Sequence, residues 1–280
     1  MKSFNNKVAA ITGAASGIGR ALALNLAGQH CDLALSDVNE AGLNETAEKA
    51  RALGVKVTTA IVNVADRDQM HAWADQVVKD HGKVNLIFNN AGVALGNTVE
   101  EATYEDYEWI MGINLWGVIY GTKAFLPYLK QTGDGHIINV SSIFGLFAQP
   151  TQSGYNMTKF AVRGFTESLR QELDLLDCGV SATCVHPGGI KTNIARSARM
   201  SQSVTKLTGG KGSPEKMTAQ FEQLFITTPA KAADVILDAV KHNKRRVLIG
   251  GDAKATDIMQ RMLPTIYQKI VTTSFKLANR

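Results

Sequence analysis

Three polar residues near the middle of the 280-residue chain have the types and the spacing needed to move a proton. Ser142 lies thirteen residues before Tyr155, and Lys159 lies four residues after it, so the tyrosine and the lysine share one face of a helix. A phenol with a pKa of about 10 is a poor base at neutral pH, and a nearby ammonium group is expected to lower that pKa. With a serine hydroxyl on the substrate oxygen, these side chains predict proton transfer to or from an alcohol while hydride is exchanged with a nicotinamide.

A glycine-rich segment near the N-terminus indicates a dinucleotide site. Thr12-Gly13-Ala14-Ala15-Ser16-Gly17-Ile18-Gly19 opens a helical pattern, and its glycines allow the backbone to approach a pyrophosphate at a helix N-terminus. Asp37 follows Gly19 by eighteen residues, a spacing typical of a carboxylate that binds a ribose 2′-hydroxyl. Because Asp37 would repel a 2′-phosphate and Val38 supplies no positive charge, NAD is favoured over NADP. The alternative is that Asp37 caps the following helix.

Apolar, β-branched runs alternate with amphipathic segments along the chain. We expect strands at 7–12, 31–37, 55–62, 84–89, 135–141, 180–186 and 246–250, and helices near 17–28, 40–53, 67–81, 103–131, 154–177 and 229–242. Largely continuous apolar runs such as 84–89 are typical of strands covered on both faces. The expected fold class is therefore α/β, with a single doubly wound Rossmann-type parallel sheet, helices on both faces and ligands at the carboxyl ends of the strands.

These motifs, in this order, resemble the classical short-chain dehydrogenase/reductase family from about Lys7 to Gly250. The resemblance rests on Thr12-Gly13…Gly17…Gly19, Asn89-Asn90-Ala91-Gly92, Asn114, Ser142, Tyr155-Asn156-Met157-Thr158-Lys159 and Pro187-Gly188-Gly189-Ile190-Lys191-Thr192. It implies that Tyr155 is the general acid/base, that Lys159 lowers the tyrosine pKa and holds the nicotinamide ribose, and that Ser142 polarises the substrate oxygen. Asn114 would hold a water molecule that links Lys159 to solvent.

The resemblance also implies a cofactor site at the carboxyl ends of the strands, where the Asn-Ala-Gly turn closes the adenosine side and the segment after Pro187 orients the nicotinamide carboxamide. The residues expected to bind the cofactor are Gly13, Ser16, Gly17, Ile18, Gly19, Asp37, Asn63, Val64, Asn90, Ala91, Gly92, Tyr155, Lys159, Pro187, Gly188, Ile190 and Thr192. Asn63 stands where the family commonly has an aspartate that contacts the adenine ring. Its side-chain carbonyl can still accept a hydrogen bond from the adenine, and the N–H of the neighbouring Val64 would donate one to it. No metal is expected.

Several assignments have a structural alternative. Asn114 could be an exposed polar residue within a helix, Lys159 could be a solvated lysine, and Ser141 rather than Ser142 could be the active hydroxyl. His186 stands where the family usually has asparagine, and we expect it to pack at a strand end rather than act as a base.

Two segments fall outside the alternating pattern. Residues 1–250 form the expected catalytic domain, within which 193–228 is a long stretch rich in Ser, Thr, Lys and Gly, typical of a substrate lid. Residues 251–280 form a basic extension whose apolar residues recur at helical spacing, and Pro264 is expected to kink or split that helix. We favour docking of the extension on its own domain or on a sister subunit, and the alternative is an anionic membrane surface.

Apolar residues around the predicted site favour a hydrophobic substrate, although the same residues could simply pack the lid. They are Leu95, Ile143, Phe144, Leu146, Phe147, Met200, Met217, Phe221, Leu224 and Phe225. Arg196 and Arg199 could meet an anionic group of the substrate, but lone surface arginines are common.

Composition narrows the class of function. Residues 241–280 carry nine Lys/Arg and two Asp while the whole chain is +5, but no recognisable nucleic-acid module accompanies this charge. The three cysteines form no CxxC pair, which fits reduced thiols in a cytoplasmic protein. No secretory signal and no membrane-spanning run are expected.

The sequence therefore predicts a cytoplasmic, NAD-dependent oxidoreductase that interconverts a hydrophobic secondary alcohol and a ketone, as a homodimer or homotetramer. The alternative enzyme is an NADP-dependent carbonyl or acyl-carrier reductase, which Asp37 opposes. The alternative of another class is a non-catalytic NAD-sensing binding protein, which the intact Asn114, Ser142, Tyr155 and Lys159 oppose.

Overall fold

The computed structural model describes residues 1–194, 197–207 and 225–278. Its strands are β1 (Val8–Thr12), β2 (Asp32–Asp37), β3 (Val57–Ile61), β4 (Leu86–Asn89), β5 (Leu95–Gly96), β6 (Gly135–Val140), β7 (Val180–Pro187), β8 (Arg199–Met200) and β9 (Arg246–Ile249). Seven of them form one parallel sheet in the order β3-β2-β1-β4-β6-β7-β9. The predicted fold class is confirmed, and the order reverses beside β1, where a doubly wound sheet opens a crevice for ligands.

Helices lie between the strands of this sheet and follow its last strand. They are α1 (Gly17–Ala27), α2 (Glu40–Arg51), α3 (Arg67–His81), α4 (Tyr104–Met111), α5 (Gly117–Thr132), α6 (Ser153–Leu176), α7 (Gln202–Leu207), α8 (Pro229–Lys241), α9 (Gly251–Met262) and α10 (Ile266–Ala278). Local sequence sets their ends. Asp66 caps α3 by accepting from two backbone N–H groups, and Gly82 ends it with φ 74°. Thr103 and Asp106 form a capping box at the start of α4.

Both faces of the seven-stranded sheet are buried, as its continuous apolar strands predict. Along β1, Ala9 and Ile11 belong to the core cluster that also contains residues of α1, α2 and α8. Val8 and Ala10 point the other way, into the cluster shared with α3, α5 and α6. The carboxyl edge of the sheet is therefore held rigidly between two helical layers.

The predicted helix at 103–131 is not a continuous α-helix. A π-helical turn, Gly112–Trp116, separates α4 from α5, and the side chain of Asn114 within it is completely buried. The alternative that Asn114 is an exposed helix residue is therefore wrong. Single π turns of this kind are frequent at functional sites, because the widened turn changes the direction of a side chain.

The predicted lid, 193–228, contains structure that its composition did not predict. Its described part includes β8, which pairs with β5, and the short helix α7. Residues 195–196 and 208–224 lie outside the described residues. Since β5 follows the Asn-Ala-Gly turn, the β5–β8 pair joins the start of the lid segment to the crevice.

The C-terminal extension packs on its own chain. Pro264 separates α9 from α10, because proline cannot continue the hydrogen-bonding of a helix. Asp257 in α9 is 7% exposed and accepts hydrogen bonds from Arg246 and Arg261, and Tyr267 in α10 is 6% exposed. The outer side of this helix pair exposes the apolar residues Ile258, Met262, Ile266, Ile270 and Leu277.

Phe125→Ala is expected to destabilise the fold by about 3–5 kcal/mol, because it removes a fully buried ring that packs edge-on against Trp73 at 5.1 Å. Urea unfolding followed by circular dichroism measures the change. Tyr104→Ala is the control, since the Tyr104 side chain is 84% exposed, and it should change stability by less than about 0.5 kcal/mol. Equal effects of the two substitutions would show that Phe125 is not a core residue.

Candidate active site

The loop between β1 and α1 is held against the end of β4. The Thr12 hydroxyl donates to the Phe88 carbonyl at 3.2 Å and accepts from the N–H groups of Asn90 and Ala91, each at 3.0 Å. The Asn90 side chain donates in turn to the carbonyls of Thr12 and Gly13. The glycine-rich motif and the Asn-Ala-Gly motif therefore form one hydrogen-bonded unit where the strand order reverses.

Glycine is required in this loop for steric reasons. Gly13 has φ +66°, and a Cβ there would lie 2.9 Å from the Cα of Ala91, whereas a Cβ on Gly19 would overlap the Gly13 carbonyl oxygen. Ser16 is the N-cap residue of α1 but makes no cap hydrogen bond, and Ile18 packs into the core beneath the loop. The bare backbone and the N–H groups of the first helical turn fit a pyrophosphate group.

The segment after β7 approaches the same loop from the other side of the crevice. A Cβ on Gly17, φ +54°, would lie 3.1 Å from Cγ2 of Thr192. Pro187 ends β7, Ile190 is buried, and a Cβ on Gly188 would overlap a carboxylate that lies over the turn. The structure thus brings this segment next to the glycine loop, in agreement with a ligand bound between them.

Asp37 ends β2 at the same edge of the sheet. Its Oδ2 accepts from the Ala15 N–H and its Oδ1 from the Asn39 N–H, both at 2.9 Å. The cap of α2 is Asn39, whose side chain accepts from the Gly42 N–H at 3.1 Å, so the alternative that Asp37 caps this helix is wrong. Each carboxylate oxygen retains capacity for a hydroxyl donor.

Asn63 and Val64 follow β3, next to the end of β2. Asn63 is exposed, and its Oδ1 accepts from the Ala65 N–H at 3.1 Å, in a local turn. Val64 is 8% exposed and packs against Gly117, where a Cβ would lie 2.9 Å from the valine side chain. Both residues lie on the same edge as Asp37, on the side where the adenine ring is expected.

Ser142, Tyr155 and Lys159 meet at the carboxyl end of β6. The Ser142 Oγ accepts from the Phe144 N–H at 3.1 Å, and the Ser142 hydroxyl lies close enough to the Tyr155 phenol to lower its pKa. Lys159 Nζ lies 5.6 Å from the centre of the Tyr155 ring and donates to the Val140 carbonyl at 3.0 Å. Tyr155 and Lys159 are only 8% and 3% exposed, so the alternative that Lys159 is a solvated lysine is wrong.

Both polar atoms of the Asn114 side chain have protein partners. Its Oδ1 accepts from the Val93 N–H at 2.8 Å, and its Nδ2 donates to the Val93 carbonyl at 2.9 Å and to the Thr158 hydroxyl at 3.4 Å. A Cβ on Gly92 would lie 3.3 Å from this Oδ1 and 3.5 Å from Lys159 Nζ. Asn114 therefore fixes the chain after the Asn-Ala-Gly turn next to the lysine amine.

Burial dominates the pKa values of the tyrosine and the lysine. It raises the pKa of Tyr155 to about 12, against the opposing effect of the Ser142 hydrogen bond, and lowers the pKa of Lys159 to about 8. The expectation that the ammonium group depresses the tyrosine pKa is not met in this structure. Loss of hydration dominates for both groups, so each pKa moves in the direction that favours the uncharged form.

Two neighbouring polar residues have structural roles. Ser141 is buried and donates to the Lys159 carbonyl at 2.8 Å, so Ser142 is the hydroxyl that faces Tyr155. His186 is buried, its Nδ1 lies 2.9 Å from the Ser142 carbonyl, and burial lowers its pKa to about 4. A carbonyl only accepts, so neutral His186 donates from Nδ1 and positions Ser142 from behind, as the packing interpretation predicts.

An apolar cluster surrounds one side of the Tyr155 ring. Phe144 meets this ring edge-on at 6.0 Å, and Phe147 lies 5.3 Å from Phe144. Sequence reasoning placed Leu95, Phe144 and Phe147 here but missed Ile110 and Tyr267, which belong to the same cluster. Helical spacing marks Tyr267 as apolar, but no sequence pattern identifies its docking partner.

The other predicted apolar residues and the two arginines have different positions. Ile143 packs at the edge of the cluster, Leu146 and Phe225 are buried, and Met200 is half-buried. The Arg199 guanidinium lies 3.8 Å from the centre of the Trp109 ring, in a cation–π contact. Arg196, Met217, Phe221 and Leu224 lie outside the described residues.

Neither a metal-binding cluster nor a membrane-spanning helix occurs among the described residues. No group of three or more His, Cys, Asp or Glu side chains within 1–194, 197–207 and 225–278 could hold a metal ion. In the same part of the chain, no helix combines the length and the apolar character needed to cross a bilayer.

Comparisons with known proteins agree with this geometry. Residues 7–203 match the family described as short chain dehydrogenase. The chain is 47% identical over 273 residues to the putative oxidoreductase SadH of Mycobacterium tuberculosis. This match covers 97% of this chain and 96% of that protein. It is 36% identical over 217 residues to the cyclohexanol dehydrogenase of Acinetobacter sp., with 76% of this chain and 85% of that protein covered.

Solved structures show the same fold. A short chain dehydrogenase/reductase from Burkholderia phymatum in complex with NAD matches with a TM-score of 0.87 at 29% identity, covering 96% of this chain and 97% of that one. An alcohol dehydrogenase from Thermococcus sibiricus, complexed with 5-hydroxy-NADP, matches with a TM-score of 0.71 at 26% identity, covering 87% and 95%. From its fold and these matches, the chain belongs to the short-chain dehydrogenase/reductase family of oxidoreductases.

Proposed function

We propose that this chain is an NAD-dependent dehydrogenase that interconverts a hydrophobic secondary alcohol and its ketone. The observation that carries the proposal is the meeting of Ser142, Tyr155 and Lys159 beside the apolar cluster, at the edge of the sheet that also presents the glycine loop. An acid/base, a hydroxyl for the substrate oxygen and a dinucleotide site are the groups that alcohol oxidation by hydride transfer requires.

The proton has a direct route in this arrangement. During oxidation, the phenolate oxygen of Tyr155 takes the proton of the substrate hydroxyl, while Ser142 donates a hydrogen bond to the substrate oxygen. NAD held by the glycine loop would supply the hydride acceptor, so that the carbinol carbon would lose a hydride as the substrate hydroxyl loses its proton and the C=O bond forms. Since burial raises the pKa of Tyr155, the phenol form that protonates a ketone prevails at neutral pH, and oxidation should accelerate as the pH rises.

Lys159 and Asn114 act through Tyr155 in this proposal. An amine with a pKa of about 8 can gain or lose a proton near neutral pH. Lys159 can therefore take part in passing the proton that Tyr155 accepts from the substrate on to solvent. Asn114 occupies the π turn beside Lys159, where a water molecule bound to the backbone would connect the amine to solvent. Lys159 is also the residue that would hold the nicotinamide ribose.

The preference for NAD over NADP rests on Asp37. Its carboxylate lies at the end of β2, fixed by hydrogen bonds from Ala15 and Asn39, where a ribose 2′-hydroxyl would donate to it and a 2′-phosphate would be repelled. The other residues proposed for the cofactor are those of the glycine loop, the Asn-Ala-Gly turn, Asn63, Val64 and the segment from Pro187 to Thr192. An NADP-dependent carbonyl or acyl-carrier reductase is the alternative enzyme.

The substrate class follows from the apolar surroundings of Tyr155. Leu95, Phe144 and Phe147 present hydrocarbon to the space beside the phenol, and the cyclohexanol dehydrogenase relative has a name that fits an apolar secondary alcohol. A non-catalytic NAD-sensing protein would retain cofactor binding but show no turnover of any alcohol. The presence of Ser142, Tyr155 and Lys159 together supports an enzyme rather than a non-catalytic sensor.

We also propose a homo-oligomer in the cytoplasm. Helix α6 and the π turn before α5 expose apolar side chains that a second copy of the chain would cover: Trp116, Met157, Phe160, Leu175 and Leu176. The cysteines are unpaired, and burial raises the pKa of Cys31 and Cys184 to about 12, which fits inert thiols of a reducing compartment.

Asp37→Ala tests the cofactor assignment. Wild type should bind NADH at least about tenfold more tightly than NADPH, and the substitution should remove this preference, because it removes both the ribose acceptor and the repulsion of a 2′-phosphate. Titration followed by nicotinamide fluorescence measures both affinities. Asp32→Ala, at the opposite end of β2, is the matched control, since Asp32 also binds one backbone N–H group. Tighter binding of NADPH by wild type would reverse the assignment.

Tyr155→Phe tests the acid/base role. The substitution keeps the buried ring but removes the hydroxyl, so kcat for oxidation of cyclohexanol or 2-octanol with NAD should fall by about 100- to 10,000-fold. Tyr107→Phe is the control, because it removes a half-buried hydroxyl that contacts Ser153 and should leave kcat within about twofold. Wild type that binds NADH but turns over no alcohol would favour the NAD-sensing alternative.

Lys159→Met should abolish turnover yet increase stability at pH 7 by about 2 kcal/mol. The pKa of Lys159 is about 8 in the folded chain against an ordinary value of 10.5, so burial of the ammonium opposes folding by about 3 kcal/mol below pH 8. Loss of the Val140 hydrogen bond in the variant offsets about 1 kcal/mol of this gain. Because the penalty disappears as the pH rises from 8 towards 10.5, the advantage of the variant should shrink between pH 7 and pH 10 in urea unfolding. A constant difference across this range would contradict the buried ammonium.

A further inference from the structure

The C-terminal helix pair, α9 and α10, reaches the apolar cluster around Tyr155. The ring of Tyr267 in α10 meets Phe147 edge-on at 6.2 Å, Phe147 contacts Phe144, and Phe144 contacts Tyr155. The Tyr267 hydroxyl accepts from the Ala148 N–H at 3.3 Å, which fixes the ring against the segment that follows the short turn after Ser142. A continuous series of aromatic contacts therefore connects the acid/base to the extension.

Polar contacts hold the helix pair in this position. Asp252, at the start of α9, accepts from the Gly189 N–H at 2.6 Å, and Asp257 accepts from Arg246 and Arg261. Because Asp257 is 7% exposed, its carboxylate is shielded from water and its bonds to the two arginines resist exchange with solvent. The position of Tyr267 is thus set by the fold rather than by a freely moving tail.

A crevice of about 200 Å³ opens where α10 meets the chain after Phe147. Its walls include Ala148, Gln149 and Pro150 on one side and Tyr267, Val271 and Thr272 on the other. Gln268 also lines the crevice, and none of the lining residues is charged. Apolar surface forms most of the wall, while the amides of Gln149 and Gln268 and the hydroxyl of Thr272 are polar. Such a surface suits a hydrocarbon group and contains no cationic side chain that would attract an anionic one.

We propose that this crevice is a subsite for the distal hydrocarbon end of the substrate, with Tyr267 as a residue that determines specificity. The inference rests on the proposed alcohol dehydrogenase function. A secondary alcohol with its carbinol at Tyr155 and Ser142 extends along Phe144 and Phe147 towards the crevice, and a chain long enough to pass Phe147 gains apolar contact there. Short alcohols end before the crevice, so they make no contact with its walls.

Thr272→Trp tests the subsite, because an indole at this exposed position fills the crevice without disturbing the core. Steady-state kinetics with NAD should show kcat/KM for 2-octanol reduced by at least about tenfold, chiefly through KM, with kcat/KM for 2-butanol within about twofold of wild type. Thr273→Trp is the matched control, since Thr273 is the next residue, is also exposed and does not line the crevice. It should leave both substrates unaffected.

Tyr267→Ala provides a second measurement. If Tyr267 contacts substrate, kcat/KM for 2-octanol falls while kcat/KM for 2-butanol is retained. If the residue only supports Phe147 and Tyr155, both alcohols lose activity equally, and the specificity role is overturned. Equal kinetics of wild type and Thr272→Trp on 2-octanol would also overturn the subsite.

Calorimetric titration with 2-octanone separates this inference from the proposed function. Should wild type oxidise no secondary alcohol, the dehydrogenase proposal fails by itself, and the subsite is then judged by binding alone. Binding of 2-octanone that Thr272→Trp weakens and Thr273→Trp retains supports an apolar subsite. No binding by wild type, or equal binding by all three proteins, overturns it.

Discussion

Burial of the Lys159 amine beside the Tyr155 phenol is the constraint on which the geometry of the site depends. Out of water, the amine has one protein acceptor, the Val140 carbonyl at 3.0 Å, and it lies 3.5 Å from where a Cβ on Gly92 would be. Burial pushes each group towards its neutral form. Because Val140 ends β6 and the lysine belongs to α6, a small shift of this helix along the sheet would break the bond.

A buried polar network keeps α6 in register with the sheet. The Asn89 amide donates to the Asn139 side chain at 2.8 Å and to the Thr122 hydroxyl, which joins β4 to β6 and α5. The Asn139 amide donates in turn to Thr166 Oγ at 3.0 Å, which joins β6 to α6 two turns after Lys159. In a closely packed core, directional bonds of this kind select one register where apolar contacts alone allow several. Asn89, the first residue of the Asn-Asn-Ala-Gly motif, therefore acts on helix placement while its neighbours face the crevice.

Much of the fold could be predicted because strands and helices leave a periodic mark on the sequence, and the spacing of Tyr155 and Lys159 placed both on one helix face. Features set by tertiary contact left no such mark. The π turn at Asn114 arises where Val93 and Thr158 bind the asparagine amide, and nothing in its composition differs from an ordinary helix. The two-residue strands β5 and β8 are too short for periodicity, and the pKa of Tyr155 depends on a burial that residue spacing does not measure.

The helix pair after β9 contacts both the segment after β7, where the cofactor is expected, and the apolar cluster beside Tyr155. Asp252 lies over the turn at Gly188 and Gly189, in the segment expected to orient the nicotinamide, and Tyr267 closes the apolar cluster on the substrate side. A displacement of this helix pair would therefore move both the segment at Gly189 and the chain at Ala148, because one hydrogen bond joins the pair to each of them. The family match ends at residue 203, before the pair begins, whereas the match to SadH covers 97% of the chain. In the function proposed above, the acid/base residues lie before residue 203, and the helix pair would supply a wall of the substrate site. Under that proposal, the motifs bear on the type of reaction, and the contacts of the helix pair bear on which substrate fits.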